Sequence, residues 1–234
     1  MVSLVVEASN GFCSIACIEN KNILAEKNLE CNNNLSAVIL SEIDNCLKAA
    51  NKTKSDLTEI ISSEGPGSYT AIRVVAAVCK TMAYTLKLPL KVVSSLKLLA
   101  LLEFNSNKLI VPLIDARRGN VFSAVYEKTN NELSVVKEEG YYSLGELNDF
   151  LESEGKDFIY VGQDIKKLKE KLLDAEYNES PVRSGNIIEI YNTLEIKDFY
   201  NMKPKYLRKT EAERELENDK NCLLYTSDAA DEED

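Results

Sequence analysis

The chain has 234 residues, a formal net charge of −10 and no histidine. The acidic balance argues against a protein that grips a nucleic-acid backbone by itself, because binding to phosphates depends on lysine and arginine. The absence of histidine excludes a histidine-ligated zinc site and a Ser-His catalytic triad, so a metalloprotease is rejected.

The sequence also predicts a cellular compartment. No apolar run reaches the roughly 18 residues of a membrane span, and residues 1–7 lack the basic start of a secretory signal. Of the six cysteines, Cys13 and Cys17 lie on one predicted strand, roughly 13 Å apart, so they cannot form a disulfide. Cys46 and Cys79 fall in apolar helical stripes. We therefore expect reduced, structural cysteines in a cytoplasmic protein with no membrane contact.

The N-terminal segment predicts strands followed by a helix. Residues 4–6 and 12–18 predict a hairpin that turns at Asn10-Gly11, and residues 22–29 predict a third strand. The asparagines at 32–34 offer N-caps for a helix. Its apolar stripe comprises Leu35, Val38, Ile39, Ile43, Cys46, Leu47 and Ala50. Ala37 and Leu40 lie off this stripe and add apolar surface on another side.

A glycine-rich turn, Gly65-Pro66-Gly67, joins a predicted strand to a helix of about five turns. Another strand follows at residues 90–93. Two interpretations of the turn stay open. It is either a tight connection in which Ser68 caps the helix, or an anion-binding turn formed by Gly65, Gly67 and Ser68. It is neither a Walker phosphate loop nor a dinucleotide fingerprint, because the lysine of the first and the third glycine of the second are absent.

The helix after this turn is apolar on two sides. One stripe comprises Ile72, Val75, Ala76, Cys79, Ala83 and Leu86, and a second comprises Val74, Val78, Thr81 and Thr85. One side should cover the chain's own sheet, while the other is either deep core or a contact for another protein. We favour the contact. The predicted partner interface comprises Ala37, Leu40, Arg73, Val74, Ala77, Val78 and Thr81.

The second half of the chain predicts a separate unit. Residues 94–102 predict a short buried helix, and a polar break at 105–107 predicts a boundary between subdomains 1–104 and 105–213. The elements predicted beyond this boundary are strands at 109–114, 121–126, 133–136 and 158–161 and a helix at 144–151.

Two charged clusters in this half have alternative interpretations. Asp115, Arg117 and Arg118 are either a catalytic or nucleic-acid-facing cluster or, more commonly for such a loop, a self-paired turn. Asp164 is predicted to cap a basic helix. The lysines of that helix form either a solvated face or, less commonly, a nucleic-acid contact: Lys166, Lys167, Lys169 and Lys171.

Four motifs occur in one order along the chain. They are Gly-Pro-Gly-Ser-Tyr-Thr-Ala-Ile-Arg at 65–73, Val-Val-Ser-Ser-Leu at 92–96, Asp-Ala-Arg-Arg-Gly at 115–119 and Pro-Lys-Tyr-Leu-Arg at 204–208. Together they resemble the TsaB family, which works with the TsaD transferase to build threonylcarbamoyladenosine on tRNA. The resemblance implies a two-subdomain α/β fold of the acetate kinase–Hsp70–actin superfamily, with mixed sheets flanked by helices.

The resemblance also implies a function. It implies a non-catalytic subunit that binds and activates a TsaD-like transferase through a four-helix bundle. A TsaE-like ATPase and tRNA would be reached only through that complex. No intrinsic cofactor is implied, since ATP and Mg²⁺ are expected on the partner, and a homodimer is expected to compete for the same helices. Two alternatives stay open, an ATP-dependent enzyme of the same superfamily and a homodimeric scaffold.

Three residues depart from the family's usual pattern. Glu7 stands where ATP-binding members of the superfamily carry an aspartate, which weakens any expectation of ATP chemistry. Leu35 stands where the family often has histidine, and Ala71 stands where glycine is usual. At position 71 the backbone therefore has no need of a positive φ.

Residues 214–234 are predicted to form a tail. Residues 222–232 resemble the translated end of a transposase-type sequencing adapter, and the other interpretation is an ordinary acidic, disordered tail. The segment from Cys222 onward holds five carboxylates and no basic residue, so the net charge would change from −10 to −5 without it.

Overall fold

The computed structural model describes residues 1–31 and 34–208. Asn32, Asn33 and the predicted tail at 214–234, with its segment 222–232, lie outside these ranges. None of the helices within the described ranges combines the length and the apolar character needed to cross a bilayer.

Strands and helices follow one another along the described residues. The first part contains β1 (Val2–Glu7), β2 (Phe12–Glu19), β3 (Asn22–Glu30), α1 (Leu35–Ala49), β4 (Glu59–Ser63), α2 (Tyr69–Leu86), β5 (Leu90–Val93) and α3 (Ser95–Ala100). The second part contains β6 (Leu109–Asp115), β7 (Asn120–Thr129), β8 (Glu132–Ser143), α4 (Leu144–Glu154), β9 (Phe158–Val161), α5 (Ile165–Leu168), β10 (Glu176–Asn178) and β11 (Glu195–Lys197). A 3₁₀ segment, Ser184–Thr193, precedes β11.

The described strands form two mixed sheets. The first has the order β11-β5-β4-β1-β2-β3, and the second has the order β10-β9-β6-β7-β8. In the first sheet β1 and β2 form the predicted antiparallel hairpin, while β4 and β5 run parallel to β1. Mixed sheets flanked by helices are the predicted fold class, which is confirmed.

The two sheets and their helices stack in layers around three apolar clusters. One cluster joins α1 and α2 to the outer face of the first sheet. A second fills the space between the sheets, where α3 and the 3₁₀ segment lie. A third joins the outer face of the second sheet to α4 and α5. The loops after β1 and β4 and the loop between β6 and β7 therefore meet at one edge of the molecule, and this edge positions the candidate site.

Several local predictions differ from the structure. Asn34 precedes α1 but its side chain makes no capping hydrogen bond. Strand β8 is longer than the predicted 133–136, because this half-buried edge strand continues through the charged residues at 137–139, which have a loop-like composition. The basic helix is only the single turn α5, followed by a 3₁₀ turn, Lys169–Lys171.

The C-terminal part of the described chain returns to the first sheet. Strand β11 pairs antiparallel with β5, so residues of the predicted subdomain 105–213 complete the sheet of the predicted subdomain 1–104. Only the tertiary structure reveals this return. The boundary near residue 105 itself falls between α3 and β6, and the division into subdomains stays a prediction.

Candidate functional site

The glycine-rich turn after β4 lies directly against the loop that joins β1 to β2. A Cβ atom at Gly67 would overlap the carbonyl oxygen of Ser9 and lie 2.5 Å from Ser9 Cβ. The backbone N–H of Ser68 donates to that same carbonyl at 2.7 Å. Glycine is therefore required at position 67 because two backbone segments approach too closely for any side chain.

This contact changes both interpretations of the turn. Ser68 occupies the N-cap position of α2, but its side chain makes no capping hydrogen bond, so the predicted side-chain cap is wrong. The N–H of Ser68, one of the donors on which the anion interpretation depends, is already bonded to Ser9. Anion binding by Gly65, Gly67 and Ser68 stays a prediction.

Glu7 lies at the end of β1 and is completely buried. Its Oε1 accepts a hydrogen bond from the backbone N–H of Ser9 at 2.5 Å, and its Oε2 accepts one from the Ser95 hydroxyl at 3.0 Å. Both carboxylate oxygens are thus used to join the end of β1 to the start of α3. This arrangement gives Glu7 a structural role.

The residues of the predicted interface lie together on the outer side of α1 and α2. We call this set the helix-pair face: Ala37, Leu40, Arg73, Val74, Ala77, Val78 and Thr81. Leu40 is 61% exposed, and Ala37, Arg73, Ala77 and Thr81 are also exposed. Val74 and Val78 are half-buried against the cluster beneath the helices. The second side of α2 is therefore open surface in the single chain, and the deep-core alternative is wrong for its exposed members.

An aromatic cluster at the C-terminal end of α2 was not predicted. Tyr84 packs edge-on against Phe199 at 5.5 Å and against Tyr200 at 6.3 Å between ring centroids. Tyr84 and Tyr200 are both exposed. Tyr84 lies three turns beyond Arg73 on the same side of the helix, so helical spacing could have added it to the helix-pair face. Tyr200 is far away in sequence and gave no such signal.

A cleft of about 550 Å³ opens between the turn at Gly67 and the β6–β7 loop. Its charged lining residues are Asp115, Arg117, Asp164, Lys167 and Arg208. The Arg117 backbone N–H donates to Asp115 Oδ1 at 2.8 Å, so the turn is closed through its backbone and not through an Asp115–Arg117 ion pair. The side chain of Arg117 is exposed and lines the cleft.

Asp164 lines this cleft, and its side chain does not cap α5. Its side chain is buried and makes no capping hydrogen bond. It accepts from the backbone N–H of Asp115 at 3.0 Å and from Lys167 Nζ at 2.8 Å. The hydrogen bond to Asp164 raises the pKa of Lys167. Of the four predicted surface lysines, all exposed, Lys167 is thus tied to the cleft.

The C-terminal motif at 204–208 crosses the edge of both sheets beside the turn. The Lys205 backbone N–H donates to the Glu64 carbonyl at 2.6 Å, and Lys205 Nζ pairs with Glu139 at 2.7 Å. The ring of Tyr206 lies 5.3 Å from that of Tyr69, and Arg208 donates to the Ala116 carbonyl at 3.4 Å. The motif therefore lies along the cleft and contacts residues that line it. Its position in the sequence did not indicate this role.

Known proteins resemble this chain in sequence and in fold. A sequence model of the family described as "TsaD: tRNA N6-adenosine threonylcarbamoyltransferase" matches residues 29–223. The "tRNA threonylcarbamoyladenosine biosynthesis protein TsaB" of Bacillus subtilis (strain 168) is 28% identical over 224 residues, covering 91% of this chain and 96% of that protein. The chain belongs to the family that this model describes, and within it to TsaB. A TsaB protein of Buchnera aphidicola subsp. Schizaphis graminum (strain Sg) is 28% identical over 171 residues, covering 72% of this chain and 81% of its own length.

Solved structures share the fold of this TsaB-family chain. A Pseudomonas aeruginosa crystal structure, described as an uncharacterized protein with similarity to peptidase YeaZ, has a TM-score of 0.78 at 19% identity. It covers 88% of this chain and 99% of the other. A second structure, YeaZ from the same organism, has a TM-score of 0.74 at 18% identity and the same coverage of both chains. These likenesses show the fold, and the histidine-free sequence here offers no histidine-based peptidase site.

Proposed function

We propose that this chain is a non-catalytic subunit that binds and activates a TsaD-like transferase for threonylcarbamoylation of an adenosine in tRNA, next to the anticodon. Membership of the TsaB family supports the pathway. The observation that supports the binding role is the helix-pair face, an apolar surface of two neighbouring helices that no other described element of the chain covers.

The shape of this face suits a helical partner. Leu40 on α1 and Ala77 and Val78 on α2 have small or aliphatic side chains, and Arg73 lies one turn before Ala77 on α2. Two helices on a partner can pack their side-chain ridges into such a surface at an interaxial distance of about 8–10 Å. An apolar centre with an arginine at its edge is also the usual composition of a protein–protein interface.

The contacts of the β1 and β4 loops favour an accessory role over an ATP-dependent enzyme. A carboxylate that binds Mg²⁺ needs free oxygens facing a ligand. Both oxygens of Glu7 accept hydrogen bonds within the buried interior, and the N–H of Ser68 is bonded to Ser9. We therefore assign ATP and Mg²⁺ to the partner and no intrinsic cofactor to this chain. A TsaE-like ATPase and tRNA would engage the assembled complex in the cytoplasm.

The helix-pair face also suits a second copy of the chain. A two-fold axis along the helix pair would place Leu40 and Ala77 of both copies in one four-helix contact. In this proposal the homodimer uses the same surface as the transferase, so the two associations exclude each other. A homodimeric scaffold without a transferase partner is the competing function.

Sedimentation of the full-length chain, a TsaD-like transferase from the same source and their mixture tests the proposal. We expect a new 1:1 species in the mixture, formed at the expense of any homodimer. A tRNA modification assay with and without the chain then tests activation. Two species that sediment independently, or modification that does not change when the chain is omitted, would contradict the accessory role.

A further inference from the structure

Two arginines that line the cleft carry charge that no carboxylate neutralises. Among the described residues, Arg117 and Arg208 form no ion pair with aspartate or glutamate. By contrast, Lys167 and Lys205 in the same region are each paired with a carboxylate. The chain as a whole has a net charge of −10, so this cluster of unpaired guanidinium groups is a local positive surface that suits an anionic ligand.

Aromatic rings accompany these arginines. Tyr69 is 50% exposed and Tyr206 is 48% exposed, and their rings lie 5.3 Å apart. The guanidinium carbon of Arg73 lies 5.0 Å from the centre of the Tyr69 ring. On β7, the ring of Phe122 lies 5.8 Å from that of Tyr141. Arg208 lies 5.2 Å from the centre of that Tyr141 ring. Tyr69 and Phe122 both line the cleft, so aromatic rings from α2 and from β7 belong to its lining.

The two carboxylates of the cleft are occupied within the chain. Asp164 accepts from Lys167 Nζ and from the backbone N–H of Asp115, while Asp115 accepts from the backbone N–H of Arg117. Neither carboxylate neutralises the guanidinium groups of Arg117 and Arg208. The described lining thus holds three cations and two carboxylates that are already hydrogen-bonded.

We propose that this surface, the aromatic–arginine cleft, binds unpaired nucleotides of RNA. Exposed bases stack on aromatic side chains and on guanidinium planes, and arginine matches the geometry of phosphate oxygens. A cleft lined by Tyr69 and Phe122 and by the unpaired Arg117 and Arg208 offers both stacking and phosphate contacts. This inference rests on the proposed function and deepens it, because it assigns the single-stranded loop of the tRNA substrate to a contact on this chain.

The acidic charge of the whole chain is compatible with this assignment. Stacking of bases does not depend on net charge, and the cleft offers phosphate contacts only where the arginines are. The chain alone is therefore expected to bind RNA weakly, and the cleft acts in the complex, where the transferase supplies the remaining contacts. Arg117 and Phe122 lie in the second half of the chain and outside the helix-pair face, so they can be changed without altering partner contacts.

The test is a titration of the full-length chain, in complex with its TsaD-like transferase, into a fluorescein-labelled RNA stem-loop followed by anisotropy. We expect Phe122→Ala to weaken binding about tenfold through loss of one stacked base. We expect Arg117→Gln to weaken binding and to flatten the plot of log affinity against log salt by about 0.7, the contribution of one phosphate contact on a single strand. The matched control is Lys54→Gln, which removes one exposed positive charge in the turn before β4 and should leave both quantities unchanged.

Sedimentation of the same samples separates this inference from the proposed function. If the complex forms and Arg117→Gln leaves both the RNA affinity and the salt dependence unchanged, the cleft does not contact RNA and the inference is overturned, while the partner role stands. Displacement of the stem-loop by free AMP would also overturn it, since the cleft would then be a mononucleotide site. A fully paired duplex that binds as well as the stem-loop would exclude stacking of unpaired bases.

Discussion

Gly67 shows how a single residue fixes the relation between two loops. Its lack of a side chain lets the turn after β4 lie on the carbonyl of Ser9, where the Ser68 N–H completes the contact. The same carbonyl belongs to the residue whose N–H binds Glu7. Ser9 therefore connects the glycine turn to the buried Glu7, and a shift of one of them would move the other.

We expect Gly67→Ala to lower the free energy of unfolding by about 1–3 kcal/mol, because the new Cβ forces the turn away from Ser9. Urea denaturation measures this change. Gly145→Ala is the matched control, since Gly145 lies in the first turn of α4 and a Cβ there meets only Ser143 Oγ at 4.0 Å. That control should be neutral or stabilising by up to about 1 kcal/mol. Equal effects of the two substitutions would show that Gly67 is not a close-contact position.

Buried thiols give the protein a stability limit at alkaline pH. Among the described residues Cys13, Cys17, Cys31, Cys46 and Cys79 are all buried and unbridged, and their reduced state in the cell stays a prediction. Burial raises the pKa of the Cys79 thiol from 9.0 to about 12 and that of Cys46 to about 11. Well below pH 9 these thiols are protonated in both the folded and the unfolded chain, so their contribution is constant there.

We expect the free energy of unfolding to fall as the pH rises above 9, because the unfolded chain then releases thiol protons that the folded chain retains. For Cys79 alone the loss between pH 9 and pH 10 is about 1 kcal/mol. Urea denaturation across this range, compared between the native chain and Cys79→Ala, measures it. The variant should show a shallower fall, and parallel curves would mean that Cys79 does not contribute.

Helix α2 is buried on one side and exposed on the other. Its inner stripe, with Val75 and Cys79, is fully buried on the first sheet, while Ala77 and Thr81 on its outer side are exposed. The helix ends at Lys87, which adopts a left-handed conformation with φ 56°, and the Leu88 N–H then bonds back to the Ala83 carbonyl. This local cap, together with the sheet contact, fixes the orientation of the outer side of the helix.

We expect Leu40→Glu to weaken binding of the TsaD-like transferase at least tenfold and to weaken any homodimer as well, because a charge enters the apolar centre of the helix-pair face. Folding should be retained, since Leu40 is 61% exposed. Sedimentation with circular dichroism on the same samples measures both. Val135→Glu, at an aliphatic residue 48% exposed on β8, is the matched control and should leave both associations intact. A response of only one association would show that transferase and homodimer use separate surfaces.

The C-terminal segment joins the two sheets into one molecule. Strand β11 completes the first sheet, and Lys205, further along, pairs with Glu139 on β8 of the second sheet. The Glu139 side chain is 10% exposed and also accepts the Tyr126 hydroxyl at 2.7 Å. This contact spans 66 residues of sequence and stabilises the edge at which the cleft lies.

We expect Lys205→Met to lower the free energy of unfolding by about 1–3 kcal/mol, because it leaves the Glu139 carboxylate buried without its cation. The control is Lys156→Met, which removes an ion pair of similar length with Glu127 in which both side chains are well exposed. Exposed pairs contribute about 0–1 kcal/mol. Urea denaturation of both variants measures the difference. Equal losses would show that the partly buried pair contributes no more to the free energy of unfolding than the exposed pair.

The sequence by itself determined the elements whose signals are local. The Asn10-Gly11 turn and its flanking apolar runs indicated the β1–β2 hairpin, and the spacing of Val75 and Cys79 indicated the buried side of α2. The four motifs at 65–73, 92–96, 115–119 and 204–208 together indicated the family. Each of these signals lies within a short stretch of the chain. The strand and helix signals also repeat locally, with periods of 2.0 and 3.6 residues. They are therefore readable without knowledge of the fold.

Only the tertiary structure decided which side chains meet. Asp164 binds Lys167 and the Asp115 backbone instead of capping α5, Glu7 is bound inside the protein, and Arg117 and Arg208 come together at one cleft. The Asp164–Asp115, Glu7–Ser95 and Arg208–Ala116 contacts join segments separated by tens of residues. They depend on strand register and on the packing of one sheet against the other. A shift of one residue in register would turn a side chain to the opposite face, and no local pattern records that choice.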